Sequence, residues 1–335
     1  MEPAMILEWI IKSVLILLVM TGGFAYTTLY ERKVLARMQV RIGPNRAGPL
    51  GFLQPIADGI KLIFKEELIP AKADKLIFIL APVITVMPAL VITAVVPWGT
   101  AVSLFGRTIQ LHLADINIGV LYILSITSVS VYGITLAGWS SNNKYAMLGG
   151  LRSTAQMISY EIALGLSFVG PVMIAGSMSL VDIVNAQRPL WFIVLQPLGA
   201  IIFTIATIAE VNRAPFDMPE AEQELTAGYH TEYSGMKFAL FFMAEYIKMI
   251  AVCMIGATVF MGGYLGPFVD QVPALGPIYL FIKVALFLFI LIWLRATSPR
   301  IRYDRLMTFG WKILFPLALL NVILTAVGLV VLGGK

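Results

Sequence analysis

The chain has 335 residues, of which 59% are apolar and 13% charged, against about 25% charged in an average soluble domain. With a mean hydropathy of +0.87, it has too little polar surface for a soluble globular enzyme, and it is equally unlike a disordered or fibrous chain. The net charge of +5 is modest and gives no reason to invoke nucleic acid as a partner. A helix crossing a bilayer takes about 20 residues, so the composition predicts an all-α polytopic membrane protein.

Eight apolar runs are expected to span, at about 6–29, 76–97, 117–139, 157–176, 190–210, 237–260, 277–296 and 312–333, within one transmembrane domain over 1–335. The first is not read as a cleaved signal, because Glu2 and Glu8 flank it and no small-residue cleavage site follows. After it comes a long basic loop, about 30–75. There Leu53, Ile56, Ile60, Ile63 and Phe64 fall on one helical face, with Gln54, Asp58, Lys61 and Lys65 on the other. That pattern predicts an amphipathic helix suited to the membrane interface, or a plain amphipathic linker. The second run carries Pro82 and Pro88, the fourth Gly165 and Pro171, as kinks or as tolerated positions.

The other connections on the side of the basic loop are about 140–156, 211–236 and 297–311. Of the 24 Lys and Arg residues, 18 lie in or beside these four loops, and only Arg107, Arg188 and Lys335 lie on the opposite side. The positive-inside rule then puts the four loops in the cytoplasm and both termini outside.

Few residues are available for cofactor chemistry. Cys253 is the sole cysteine, so no disulfide framework, cysteine-ligated cluster or zinc ribbon is expected. His112 and His230 make no ligand pair, and no Gly-rich phosphate loop occurs. No metal site, redox cofactor or nucleotide is therefore expected on this chain alone.

The chemistry-bearing feature is a set of acids in apolar surroundings. Glu161, Glu210 and Glu245 sit in or at the edges of expected spans, where a charge costs about 2.5–3.5 kcal/mol at mid-membrane. Burial and neighbouring cations move a carboxyl's pKa in opposite directions, so such groups suit proton transfer. The bland alternative is neutralised ion pairs that hold helices together. Lys248 lies one turn from Glu245, and Lys283 is in another span. Just past the fifth run, Asp217, Glu220, Glu222 and Glu224 follow Glu210. They suggest a hydrated acidic path inward from the cytoplasmic surface, though a solvated acidic turn has the same composition.

At this point the sequence resembles a known family. The run ERKVLARMQVRIGPNRAGPLGFLQPIADGIKLIFKE (Glu31–Glu66) is similar to the first-loop signature of the H-subunit (subunit 1) family of proton-pumping NADH:quinone oxidoreductase, respiratory complex I. The run PFDMPEAEQELTAG (Pro215–Gly228) is similar to its second signature. AGWSSNNKYAMLGGLRSTAQMISYE (Ala137–Glu161) and RATSPRIRYDRLMTFGWK (Arg295–Lys312) also read as family segments, in order, so the resemblance covers essentially the whole chain. Span three carries no carboxylate, only Asp115 before it, so any family member with an acid there would relay protons differently.

The resemblance implies an eight-helix bundle, several helices tilted, in a bacterial inner membrane at the foot of a peripheral redox arm. It implies a chamber for ubiquinone or menaquinone, with iron–sulfur clusters and FMN held by partner subunits, and small membrane-arm and antiporter-like subunits alongside. It makes Glu161, Glu210 and Glu245 the buried acids leading toward the membrane arm, and Asp217, Glu220, Glu222 and Glu224 the acidic loop near the quinone. Arg32, Arg41, Arg46, Asp58, Lys61 and Lys65 would lie at the mouth and wall of the chamber. Arg213, Arg295, Arg300 and Arg302 would balance the acidic loop, and Phe52, Phe64 and Phe216 would face an isoprenoid tail or be ordinary membrane core. Two other readings stand beside this one: a related subunit of a membrane-bound hydrogenase or deazaflavin dehydrogenase, and a stand-alone secondary transporter.

Overall fold

A computed structural model describes residues 3–104, 107–218 and 226–333. Its long helices are α1 (Pro3–Met38), α3 (Lys75–Val91), α4 (Gly119–Ser140), α5 (Lys144–Ala175), α9 (Gly235–Phe260), α10 (Gly276–Thr297) and α12 (Phe315–Gly333). Shorter helices are α2 (Gln54–Ile63), α6 (Leu180–Ala186), α7 (Phe192–Leu195), α8 (Pro197–Glu210) and α11 (Tyr303–Phe309). Two short strands, β1 (Val102–Leu104) and β2 (Arg107–Ile109), pair antiparallel. Among the described residues, seven helices are long and apolar enough to cross a membrane.

Several apolar runs lie inside helices much longer than a membrane requires. Helix α1 continues through Glu31 and Arg37 to Met38, and α5 begins at Lys144. The expected loop at 140–156 therefore shrinks to a sharp turn, where Asn143 accepts a hydrogen bond from Tyr145 N at 3.0 Å and starts α5. Asp74 caps α3 in the same way through Ile77 N. A side-chain oxygen there satisfies an amide that the first helical turn leaves unpaired. At its other end α5 stops on Gly176, whose φ of 69° suits glycine.

The expected fifth span, 190–210, is where the structure departs from the sequence reading. It is interrupted: α7 ends at Leu195, Gln196 has φ −131° and ψ 60°, and α8 restarts with Pro197 as its first residue. Proline lacks the amide that would continue the ladder and disfavours helical geometry in the residue before it. The break is held from both sides. Gln196 donates to Thr325 Oγ1 at 2.7 Å, and a Cβ at Gly170 would stand 2.0 Å from Gln196 Oε1. A helix side chain at 170 would thus push the interruption off α5.

The core is arranged around α9, which is buried continuously from Tyr246 to Phe260. Helices α3, α10, α1 and α8 pack on it, and α4 and α5 complete the bundle. Close approach is made by small residues, as expected where lipid supplies no hydrophobic drive between helices. A Cβ at Gly133 of α4 would lie 2.2 Å from Thr85 Oγ1 of α3, and one at Gly256 of α9 would lie 2.6 Å from Phe203 of α8. Hydroxyls in the bundle turn back on their own helices: Thr127 bonds Ile123 O and Leu124 O, and Thr135 bonds Val131 O. Such back-bonding satisfies a polar group without a neighbour.

Helix α1 is the opposite case. Ile6 to Val19 lie largely on the surface, and burial begins at Met20 and continues through Thr27, Leu29, Glu31 and Ala36. It is attached to the bundle by its charged half.

Beyond α9, Lys283 of α10 closes the chain. Its ammonium donates to Met261 O, Gly263 O and Leu265 O at 2.7, 2.8 and 2.6 Å, and lies 4.7 Å from the Trp191 ring centre. All three N–H groups are used, and the charge sits where the carbonyl end of α9 is negative. Replacing Lys283 with Met keeps the stem but leaves buried acceptors unpaired, at a cost of at least about 2 kcal/mol. The thermal midpoint of the detergent-solubilised protein should fall accordingly, and an unchanged midpoint would show that this clamp contributes nothing to stability.

Candidate functional site

The long α1 and α5, together with α8 ending at Glu210, bring charged side chains from five segments to one end of the bundle. Three carboxylates are handled in three ways. Glu210, at 0% exposure, accepts from Lys248 of α9 at 2.7 Å; Lys248 also donates to Ser130 of α4 at 3.3 Å. Glu161 of α5 meets hydroxyls of α4, Ser128 at 2.5 Å and Thr127 at 3.3 Å. Glu245 of α9 pairs with the Arg213 guanidinium.

That last pair is half of a larger cluster. Arg213 also lies 3.5 Å from Glu31 of α1, which in turn pairs with Arg295 of α10. Two carboxylates and two guanidiniums thus form a neutral group tying α1, α9, α10 and the segment after α8. The Arg213 guanidinium stacks 4.5 Å from the Tyr246 ring centre, an arrangement a lysine would match poorly. In low dielectric each charge needs its partners, since removing one leaves the others buried and uncompensated.

The segment 211–218 is fixed from both sides. Gln156 of α5, wholly buried, donates to Ala209 O at 2.8 Å, Asn212 Oδ1 at 3.2 Å and Phe216 O at 2.7 Å. Ile301 N donates to Pro215 O at 3.1 Å. Phe216 is buried 5.4 Å from the Tyr160 ring, whose hydroxyl donates to Leu306 O. Asp217 is half-buried at its end, while Glu220, Glu222 and Glu224 lie outside the described residues.

Between Glu210, Glu245 and Lys248 lies a cavity of about 30 Å³, also lined by Ser130, Asn212, Tyr229 and His230. His230 follows the loop and sits in an aromatic box, 3.9 Å from Tyr229 and about 5.5 Å from Phe238 and Phe241. Burial pushes its imidazole pKa down to about 3, so it is neutral at physiological pH.

The first loop forms a separate surface. Arg32 donates to Asp58 of α2 at 2.7 Å, with Lys61 at 3.6 Å. Partial burial pushes the Asp58 carboxyl up, but hydrogen bonds from Arg32 and Gln54 and the charges of Arg32 and Lys61 outweigh it and hold the pKa below its ordinary value. Lys33 reaches Leu50 O at 2.6 Å and stands 5.0 Å from the Phe52 ring. With Arg37 and Arg41 it lines an open cavity of about 530 Å³. Arg46, Lys65 and Phe64 are exposed, and α2 presents Ile56, Ile60 and Ile63 outward.

The structure sets the ion pairs across helices, while the acidic positions 220, 222 and 224, which the resemblance has the four arginines balance, lie outside the described residues. Lys248 belongs to Glu210 and not to its helical neighbour Glu245. Arg213 and Arg295 meet Glu31 and Glu245, while Arg302 is exposed and Arg300 half-buried. Sequence reasoning does not single out Glu31 or His230 as site residues. Glu31 lies just past the first expected span in a run of charges, and a buried partner two hundred residues away leaves no local signal.

Relatives of this chain align along most of its length. The family model described as NADH dehydrogenase matches residues 11–326. The H subunit of NADH-quinone oxidoreductase from Thermomicrobium roseum is 54% identical, covering 98% of this chain and 97% of its own length. The protein of the same name from Protochlamydia amoebophila is also 54% identical, over 90% of this chain and 91% of the relative. One of the numbered H subunits of Geobacter metallireducens is 51% identical over 94% of each chain. This multi-pass membrane chain therefore belongs to the NADH dehydrogenase family, among proteins named as the H subunit of NADH-quinone oxidoreductase.

Proposed function

We propose that the chain is the membrane subunit of a proton-translocating NADH:quinone oxidoreductase that walls much of the quinone chamber and links quinone reduction to proton movement. The observation that carries this reading is the gathering of Glu161, Glu210 and Glu245 at one end of the bundle, each held by a different kind of partner. The fixed charges of Arg213, Arg295 and Glu31 lie beside them.

Quinone reduction to quinol takes up two electrons and two protons, and negative charge developing in a low-dielectric chamber acts strongly on nearby ionisable groups. A guanidinium stays charged, so Arg213 and Arg295 set a fixed field. A carboxylate and an ammonium joined by one hydrogen bond can exchange a proton when that field changes. The Glu210–Lys248 pair is thus the element able to answer, while Glu161, held only by hydroxyls among the described residues, is a site able to take a proton next. Protonation or field changes then pass sideways to antiporter-like partners. The basic first loop with Arg32, Arg41, Arg46, Asp58, Lys61 and Lys65 forms the mouth and outer wall, where α2 lies in the membrane interface.

In this reading electrons come from iron–sulfur clusters and FMN in peripheral-arm subunits, and this chain supplies cavity and charge. The interrupted helix α7–α8 makes an eighth crossing, so both termini lie on the outer side of a bacterial inner membrane. The exposed outer half of α1 and the exposed face of α12 meet lipid and small membrane-arm subunits.

Two measurements test the reading. In the intact complex, Glu210→Gln should lower quinone-coupled NADH oxidation and proton translocation by about 10²-fold, within the range for a positioned proton-transfer group. NADH oxidation by an artificial acceptor reports assembly alongside; equal coupled rates in variant and wild type would remove Glu210 from the mechanism. Single cysteines placed at 4 and at 334 in a Cys253→Ala background should both react with a membrane-impermeant thiol reagent from outside intact cells. Labelling of only one would give an odd number of crossings.

A further inference from the structure

The cavity beside Glu210 contains two polar atoms that the ion pairs leave over. Among the described residues, Glu210 Oε2 and His230 Nδ1 are both buried without a hydrogen-bond partner, and both residues line the same space of about 30 Å³. A water needs about 10–15 Å³ on this measure and two to four polar neighbours, so the space suits one or two. Lys248 gives two of its three N–H groups to Glu210 and Ser130, which leaves one more donor at the wall. His230 is 5% exposed, enclosed by Tyr229, Phe238 and Phe241, and so fixed in direction.

We propose that His230 Nδ1 and Glu210 Oε2 hold a water between them, which joins the loop preceding α9 to the membrane carboxylates and makes His230 a positioning residue of the proton path. The inference rests on the role of Glu210 given above. Burial keeps the imidazole neutral, as its depressed pKa indicates, so its part is to orient the water and not to store a proton. The water can accept from Lys248 and donate to Glu210, giving the carboxylate a second route for exchange besides the direct Glu210–Lys248 bond. A proton arriving through the loop then reaches Glu210 without breaking that bond.

The test uses the intact complex from its native membrane, reconstituted in proteoliposomes, with His230→Leu, His230→Asn and Glu210→Gln side by side. Leu fills the aromatic box without a polar atom, whereas the Asn amide places one near the position of Nδ1. Loss of about one buried hydrogen bond's worth of positioning predicts a roughly tenfold fall in quinone-coupled proton translocation for Leu, and Asn should recover most of it. A purely structural role would not distinguish the two by polarity, and oxidation of NADH by an artificial acceptor shows whether each variant has assembled.

Full coupling in His230→Leu, with coupling lost in Glu210→Gln, overturns the water-holding role and leaves the function reading intact. Asn as impaired as Leu also overturns it, because the imidazole itself would then be needed. Full coupling in Glu210→Gln sinks the function reading instead. If His230→Leu does not assemble, redox-induced infrared difference spectra of the wild-type complex decide. A water O–H band that shifts in oxygen-18 water and vanishes in Glu210→Gln supports the inference, and its absence overturns it.

Discussion

The fold depends most on the need to neutralise charge where water is scarce. Glu31, Arg213, Glu245 and Arg295 come from four segments far apart in sequence, yet each is of limited use to the bundle without the others. Pairs of this kind seldom add much net stability over apolar packing, but breaking one is costly. Their effect is therefore selective: they admit one arrangement of α1, α9 and α10 and penalise the rest. Helix α1 shows this most plainly, since its N-terminal half is largely exposed and its C-terminal half is held through Glu31.

The same constraint accounts for the contrast between the two ends of α9. Toward its start, Glu245 and Lys248 meet charged partners and a small polar cavity. Toward its end, Lys283 is locked onto three backbone carbonyls, with no carboxylate among its partners in the described residues. A lysine bonded to carbonyls has nowhere to send its proton, whereas a lysine bonded to a carboxylate does. Two buried lysines in one protein thus meet different partners, backbone carbonyls in one case and a carboxylate in the other.

Much of this is legible in the sequence. Long apolar runs mark the helices, because hydrocarbon burial needs only composition and length, and alternating faces over Leu53–Phe64 mark α2. The interruption at Gln196 is hidden, although Pro197 sits at it, because the flanking residues are apolar enough to read as one span. For the site, the costliness of acids in apolar runs identifies Glu161, Glu210 and Glu245. Their partners are hidden: Lys248 lies on the same helix as Glu245 and reads as its neighbour, but the helix turns that ammonium toward α8. Spacing along one helix defines a face, and only the packing of a second helix says what meets it.

The buried length of α9 has a further consequence for how this protein can vary. One inserted or deleted residue rotates everything beyond it by about 100° in a helix of 3.6 residues per turn. Because Glu245 faces Arg213 and Lys248 faces Glu210 from the same helix, such a change between Ser234 and Glu245 would turn both charges away from their partners at once. Substitutions can be absorbed one neighbour at a time, but a shift of register cannot. The spacing along this helix is thus a coordinate shared by Arg213 and Glu210, the partners of its two charges.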